Sequence, residues 1–413
     1  MSQCPYANLL DPDTYVNGMP YEALKEIRDV GPVVWMEDPV YGVPFWAITR
    51  KKELDFVSKN PKLFSSAEGT PFPMEPLPGR EGNHHHFVIG MDPPKHQKYR
   101  RIMRDAFTPK AVESYRPRFR KYAKKIIDAV VSKGECEFVE EVAAELPLIA
   151  IMELAGVPME DRKLFFEWTN TMSFADDPDM ATGPEDGIMA SFKMLEYGKK
   201  MAAEQRDAPK DDLVGALLKG RVDGEPISDE DLSWMFLLTV VGGNESTRTS
   251  TAHGMRLLME HPDQLQHLID HPEDIPAAIE EMVRYNTAFI AMRRTAMEDI
   301  ELGGQLIKKG DKVVMHYHMI NHDEDEFGED AMKFNIHRAI DSDISNRLRS
   351  FGIGQHFCIG SHLARMELQV IFEEMLPRLR NPKFAGPVKY MRSSFINTIK
   401  SMPITFDPEQ SAA

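Results

Sequence analysis

Within ten residues, Phe351-Gly352-Ile353-Gly354-Gln355-His356-Phe357-Cys358-Ile359-Gly360, three glycines surround a single cysteine. A lone cysteine is ordinarily a small buried hydrophobe. Here Gly352, Gly354 and Gly360 permit positive φ and close backbone approach, so the loop can wrap tightly around something. The pattern beyond it predicts a helix running from Cys358 to about Leu379, whose unpaired N–H groups and dipole would favour a thiolate. A thiolate held by backbone donors in an apolar loop suits an axial iron ligand. His362, four residues on, leaves a second chemistry open, a Cys–His nucleophilic pair on one helix face. No third orienting group accompanies that pair, so it is the weaker reading.

Three other constellations stand upstream. Val241-Gly242-Gly243-Asn244-Glu245-Ser246-Thr247 places two glycines inside a strongly helical stretch, where each costs about 1 kcal/mol relative to Ala. Close helix packing or a groove facing a ligand would account for them. His96 and Arg100 lie four apart on one helix face and could clamp a carboxylate. Glu281 and Arg284 have the i,i+3 spacing of an ordinary surface ion pair.

Taken together, these segments resemble the cytochrome P450 family. Phe351 to Gly360 is similar to the family's haem loop, F-G-x-G-x-x-x-C-x-G, and the resemblance implies Cys358 as the proximal thiolate ligand of haem b iron. Glu281-Met282-Val283-Arg284 matches the E-x-x-R pattern. With Arg338 in Phe334-Asn335-Ile336-His337-Arg338, it implies a buried structural triad that fixes geometry more than it adds stability. Met91-Asp92-Pro93-Pro94-Lys95-His96 and Arg100 match the D-P-P-x-H-x-x-x-R helix start. By the same resemblance His96, Arg100, Arg294 and His356 bind the haem propionates.

In the central motif the resemblance casts Glu245 and Ser246 as the acid–alcohol pair that conducts protons to bound dioxygen. Ser246 stands where the family usually has Thr; it keeps the hydroxyl but loses the methyl that restricts its rotamer, and Thr247 is a second candidate for the role. The family's pocket walls correspond to Phe72, Met74, Phe87, Val88, Leu238, Val241, Ala288, Phe289, Ile290, Ala291, Met292, Phe395 and Ile396. All are apolar, which points to a largely hydrocarbon substrate oriented by shape. Glu145-Leu146-Pro147-Leu148 and Asn397 to Met402 resemble the bacterial subgroup that oxidises sterols, terpenoids and alkyl or fatty-acid chains.

The elements that must position these residues follow from periodicity. The composition gives a mainly α fold with minor β, a single domain over 1–413. Pro20 to Val30 is a helix; Val33 to Met36 and Pro44 to Ile48 are strands; 64–90 is a long irregular stretch. From Pro93 to about Tyr285 the pattern is almost wholly helical: Lys110 to Lys133, Glu140 to Ala155, Glu160 to Met172, then a break at Ala175 to Asp186 and a helix from Ile188 to Arg206. Ser228 to His261 is the longest segment, opened by Ser228 with Asp231 in a capping-box arrangement and closed by Pro262. Such a helix must be central. Strands return at Ile300 to Leu302, Lys312 to Met315 and Pro403 to Phe406, with 321–357 irregular.

Composition narrows the function classes. The 413 residues carry 49 Lys+Arg against 65 Asp+Glu, a formal net charge of −16, which argues against nucleic-acid binding. Only three cysteines occur, Cys4, Cys136 and Cys358, too few and too widely spaced for a disulfide framework. They point to a reducing, cytoplasmic setting. Neither a signal peptide nor a membrane anchor is readable. The chain has no Gly-rich nucleotide fingerprint and no Cys cluster of its own. The resemblance therefore implies NAD(P)H electrons arriving through a ferredoxin reductase and an iron–sulfur ferredoxin, which would dock near Arg101 and Arg104.

The expected protein is a monomeric haem-thiolate monooxygenase using dioxygen on an apolar small molecule. A peroxide-driven peroxygenase and a non-catalytic haem-binding sensor are the alternatives. His84-His85-His86 reads as a solvated loop rather than a metal site, and the acidic run His322 to Asp330 as wet surface. The 26 Met suggest adaptable packing around an apolar cavity, with most of them in ordinary core.

Overall fold

Asp229–Glu260 forms one unbroken helix of 32 residues, about 48 Å at 1.5 Å per residue. Ser228 Oγ accepts the Asp231 N–H at 3.0 Å, as expected of its N-cap. The Asp231 carboxylate does not reach back to complete a capping box. It instead accepts from Tyr99 Oη at 2.6 Å and bonds His86 Nδ1 at 2.8 Å, tying the preceding loop to the start of the helix. Helices Glu145–Ala155, Pro184–Gln205, Ile275–Tyr285 and Ser361–Met375 pack around this central helix. Their inward faces form the largest apolar core of the molecule.

The computed structural model describes residues 8–37, 42–75 and 82–409. Cys4 and part of the irregular 64–90 stretch, residues 76–81, lie outside them. Most expected helices are present with ends shifted by a few residues. Helix Lys51–Lys59 escaped the sequence reading. The expected helical region between 93 and 285 is interrupted by a small hairpin, Arg221–Val222 with Glu225–Pro226. Glu135–Glu137 is a strand paired with Pro403–Asp407, and it buries Cys136. That burial pushes the Cys136 thiol up to about 12, which makes it inert.

The cysteine-bearing segment departs from expectation in one respect: the helix begins at Ser361 and ends at Met375, so Cys358 sits in the turn before it. Gly360 is its N-cap. The chain must first complete the glycine turn that aims the sulfur inward, and only then enters helical geometry.

A five-stranded sheet flanks the helical body in the order Val33–Met36, Phe45–Ile48, Lys312–His316, Ala291–Ala296, Phe64–Ser65. Lys312–His316 is parallel to Phe45–Ile48 and antiparallel to Ala291–Ala296. The sheet matters here because it carries Met292 and Arg294 on one face and Ala291 and Arg293 on the other, as period-two alternation requires.

Between sheet and helices the Glu281 carboxylate takes Arg284 Nε at 2.7 Å and Nη2 at 2.8 Å, the Asn335 N–H at 3.0 Å, and Arg338 Nε at 3.4 Å. Arg284 also donates to the carbonyls of Asn321, Ala331 and Lys333. Glu281 and Arg284 are fully buried. Removing one member of such a group leaves an uncompensated buried charge, a penalty of about 3–5 kcal/mol, so the triad fixes how the irregular 321–357 segment meets the helix.

The acidic run is wet surface only in part: Asp325 and Glu329 are exposed, whereas the other acids are engaged. Asp323 is buried against Arg50, Glu324 pairs with Arg28 at 2.6 Å, Glu326 with Lys51 at 2.9 Å, and Asp330 with Arg338 at 2.8 Å. Asp323, Glu324 and Glu326 thereby dock the same segment onto the N-terminal helices.

His316 and His318 are buried at the end of the sheet, and neither ring nitrogen of His316 has a partner among the described residues. Burial lowers their pKa values to about 3 and about 4. The unfolded chain protonates such residues near ~6.5, so stability is full above that pH. As pH falls towards the folded values, about 1.4 kcal/mol is lost per pH unit for each histidine. Urea unfolding of His316→Phe between pH 4.5 and 6.5 should show a pH slope shallower than wild type by that amount. An identical slope would mean that His316 is not held neutral.

Candidate functional site

The cysteine loop is built by backbone geometry. Gly352 and Gly354 have φ of +68° and +75°, and a Cβ on Gly354 would lie 2.6 Å from the Ser58 carbonyl oxygen. Only glycine allows the loop to lie that close to helix Lys51–Lys59. The Cys358 N–H donates to the Phe351 carbonyl at 2.9 Å, and Arg100 donates to the Phe357 carbonyl. The Arg365 guanidinium covers the Phe351 ring at 4.2 Å while pairing with Glu280.

Cys358 is exposed and lines a cavity of about 540 Å³. Desolvation by the surrounding protein raises the thiol pKa, opposed by a hydrogen bond from the Gly360 N–H and by the charges of Arg100 and Arg365. The expected stabilisation by a helix start is therefore outweighed by desolvation. A bound cation at the sulfur would reverse the balance, because a coordinated thiol gives up its proton. His362 faces a separate surface groove with Glu113, Arg116 and Arg365, so the structure does not bring a Cys–His pair together.

At the Cys358 end of the cavity Arg100, Arg294 and His356 reach the wall. Arg294 Nη1 donates only to the Arg293 carbonyl, at 2.6 Å. His356 Nε2 lies 3.2 Å from Ser66 Oγ and its Nδ1 has no partner. His96 is buried just behind, its ring 4.2 Å from that of His356, with neither nitrogen partnered among the described residues. Desolvation first, then the positive charges nearby, hold His96 down at about 4 and His356 well below its ordinary value. Burial lowers both arginines as well. Among the described residues no carboxylate hydrogen-bonds to any of the four. Donors gathered without an acceptor are fitted to an anionic group from outside the chain, and the two haem propionates have that chemistry. Together with the sulfur, these residues fit a haem.

The opposite wall is the central helix. Gly242, Gly243, Ser246, Thr247 and Ser250 line the cavity. The two glycines do different things. A Cβ on Gly243 would lie 2.6 Å from Ile151 Cδ1, so Gly243 serves close helix packing; one on Gly242 would meet nothing within 4 Å, so Gly242 leaves open space in the groove. Ser246 Oγ donates to the Gly242 carbonyl at 2.8 Å.

Glu245 does not line the cavity. It is fully buried on an adjacent face, where its Oε1 accepts from Asn244 Nδ2 at 2.9 Å and its Oε2 contacts Arg248 without a directed hydrogen bond. Arg248 in turn donates to Asn170 Oδ1 at 2.7 Å. Burial raises the Glu245 pKa, and Arg248 opposes the rise.

Of the expected pocket residues, Phe72, Met74, Phe87, Val88, Leu238, Val241, Ala288, Phe289, Met292, Phe395 and Ile396 line the cavity. Ile290 and Ala291 do not. Ala291, at the start of the strand, and Ile290, just before it, are buried in the core that contains Leu9, Leu24 and Val34. Sequence reasoning missed Ile151, Trp234, Tyr317, Asp176 and Glu367, which also line it. Helical spacing from Gly242 would have found Ser250; the others come from elements whose facing faces only the folded packing defines.

Met74, Met103, Met172 and Met292 lie on the wall. The histidine run is not freely solvated: His84 is buried with Nε2 2.8 Å from the Ala67 carbonyl, and His86 holds Asp231. Among the described residues no group of three or more His, Cys, Asp or Glu could hold a metal ion. None of their helices is long and apolar enough to cross a membrane.

Comparison with known proteins agrees with this geometry. The cytochrome P450 family profile matches residues 275–397, the stretch containing the Glu281–Arg284–Arg338 triad and the Cys358 loop. A steroid C26-monooxygenase of Rhodococcus jostii is 36% identical over 405 residues, covering 96% of this chain and 84% of the relative. A linalool 8-monooxygenase of Pseudomonas putida is 33% identical over 420 residues, covering 97% and 99%. A Mycobacterium marinum cytochrome P450 solved with pseudoionone superposes with a TM-score of 0.88 at 33% identity, covering 98% of this chain and all of the other.

The two glycines yield a contrast of sign. Gly242→Ala fills free space and removes a helix penalty, so it should raise the unfolding free energy by up to about 1 kcal/mol. Gly243→Ala must displace Ile151 and should lower it by about 1–2 kcal/mol net of the same gain. Thermal or urea unfolding measures both, and equal effects would contradict the assignment.

Proposed function

The chain belongs to the cytochrome P450 family and is a monooxygenase; from that premise we propose that it hydroxylates an apolar steroid, terpenoid or alkyl-chain lipid. One observation carries the reading: a single cavity gathers the Cys358 sulfur, two arginines that hydrogen-bond to no carboxylate among the described residues, and a glycine-opened helix groove between apolar walls. The relatives' names support the substrate class, since they act on a steroid and on linalool.

Cys358 Sγ would hold the iron, and Arg100, Arg294 and His356, backed by His96, the propionates. When bound, the haem supplies dioxygen activation and insertion of one oxygen atom into a C–H bond, the other atom leaving as water. The chain's own part is placement, dryness and proton supply. Phe72, Phe87, Leu238, Val241, Phe289 and Phe395 exclude water and orient the substrate by shape. Ser246 Oγ parks its hydrogen on the Gly242 carbonyl, and rotation about χ1, freer than in Thr, turns it into the cavity. Thr247 offers a second hydroxyl on the same wall. Glu245, held towards its protonated form by burial, would deliver from Oε2 after a side-chain turn away from Arg248.

In this reading electrons come from NAD(P)H through a ferredoxin reductase and an iron–sulfur ferredoxin in the cytoplasm. The exposed Arg101 and Arg104 support docking of an acidic partner on the cysteine side. Residues 1–413 act as one monomeric domain.

Incubation under ¹⁸O₂ with ferredoxin, reductase and NAD(P)H should place one labelled oxygen in the product from linalool, cholesterol or a branched fatty acid. Ser246→Ala should cut product formed per NAD(P)H by about 10-fold or more while NAD(P)H consumption continues. Faster turnover with peroxide alone, or an unchanged ratio in the variant, would contradict the dioxygen route.

A further inference from the structure

Asp176 lies in the break that follows helix Arg162–Ser173 and lines the cavity where it meets solvent. The other acid on the wall, Glu367, is on helix Ser361–Met375 at the cysteine end. Phe174, two residues before Asp176, packs in the cluster of Ile396, Phe289 and Phe395, so Asp176 belongs to the part of the wall those apolar residues form, on a different element from the cysteine-end helix.

Its neighbours have partners and it does not. Asp177 and Asp179 are both held by Lys400 Nζ, at 2.6 and 2.5 Å. Arg392 could have neutralised Asp176, but its guanidinium goes to the Asp13 carboxylate and to the backbone carbonyl of Asp176, at 2.8 Å. Among the described residues no group donates to the Asp176 carboxylate. Ser173 Oγ, from another wall residue, is buried without a partner as well. Asp176 is exposed at the cavity wall, and desolvation raises its carboxyl pKa, with Arg392 opposing. Its carboxylate has no protein donor among the described residues, so a ligand donor reaching this wall would supply a charge-assisted hydrogen bond in place of water.

Resting on the proposed monooxygenation of an apolar substrate, we propose that Asp176 reads a hydroxyl at the end of the substrate remote from the oxidised carbon. The enzyme then selects elongated molecules with an apolar tail and a donor head. An ether or ketone of the same skeleton accepts hydrogen bonds but cannot donate one, so it leaves Asp176 unsatisfied and gives up the preference.

Calorimetric titration of the haem-loaded protein with cholesterol and its 3-methyl ether, and with farnesol and its methyl ether, tests this directly. Wild type should bind each alcohol about fivefold to tenfold more tightly than its ether. Asp176→Ala keeps the backbone carbonyl that Arg392 uses; it should bring each pair within twofold by weakening the alcohols and leaving the ethers unchanged. Oxidation of the alcohols should also scatter over more positions in the variant. Equal binding of alcohol and ether by wild type, or a preference that survives in Asp176→Ala, would overturn the role of Asp176. Failure of all four probes to bind wild type would instead contradict the apolar-substrate reading, and the inference would fall with it.

Discussion

At Cys358 desolvation raises the thiol pKa against the pull of one backbone N–H and two nearby guanidinium groups, and the rest of the structure is arranged around that deficit. The same end of the cavity has the opposite imbalance, two arginines and two histidines to which no carboxylate hydrogen-bonds among the described residues. A cavity-lining sulfur that needs a cation and a donor cluster that needs an anion are two halves of one requirement. A metal complex carrying peripheral carboxylates meets both. This reciprocal shortage, rather than any single residue, gives the cavity its chemical identity.

The scaffold serves to hold that arrangement still. Glu281, Arg284 and Arg338 lock the irregular segment that leads into the cysteine loop, and the acidic run at 323–330 pins the same segment through Arg28, Arg50 and Lys51. These buried charges are costly to desolvate, and geometric specification is what they provide in return. Across the cavity the central helix is rigidly packed at Gly243 and opened at Gly242. One pair of neighbouring glycines thus separates structural contact from functional space by a single residue.

Local signals were legible in the sequence, and directional ones were not. The cysteine loop, the triad and the long helix depend on residues close in sequence or on strong periodicity, and the structure contains all three. The start of the helix after Cys358 was read three residues early because the glycine turn before it has an apolar pattern that continues into the helix. Ile290 and Ala291 share the apolar character of their pocket neighbours; alternation turns Ala291 away from the face of Met292, and Ile290, which precedes the strand, packs into the same opposite core. Glu245 could have been placed correctly: Gly242, Gly243, Ser246, Thr247 and Ser250 follow i, i+1, i+4, i+5, i+8, and position i+3 falls outside that stripe. Asp176 and Glu367 were invisible because a carboxylate's lack of partners is a property of the packed molecule, not of its neighbours in the chain.

The central claim is that Cys358 supplies a thiolate to haem iron, and it has a direct spectroscopic test. The reduced, haem-loaded protein with carbon monoxide should show the red-shifted Soret band of thiolate ligation. Cys358→Ala, shown to be folded by circular dichroism, should lack that band. Survival of the red-shifted band in the folded variant would contradict the account.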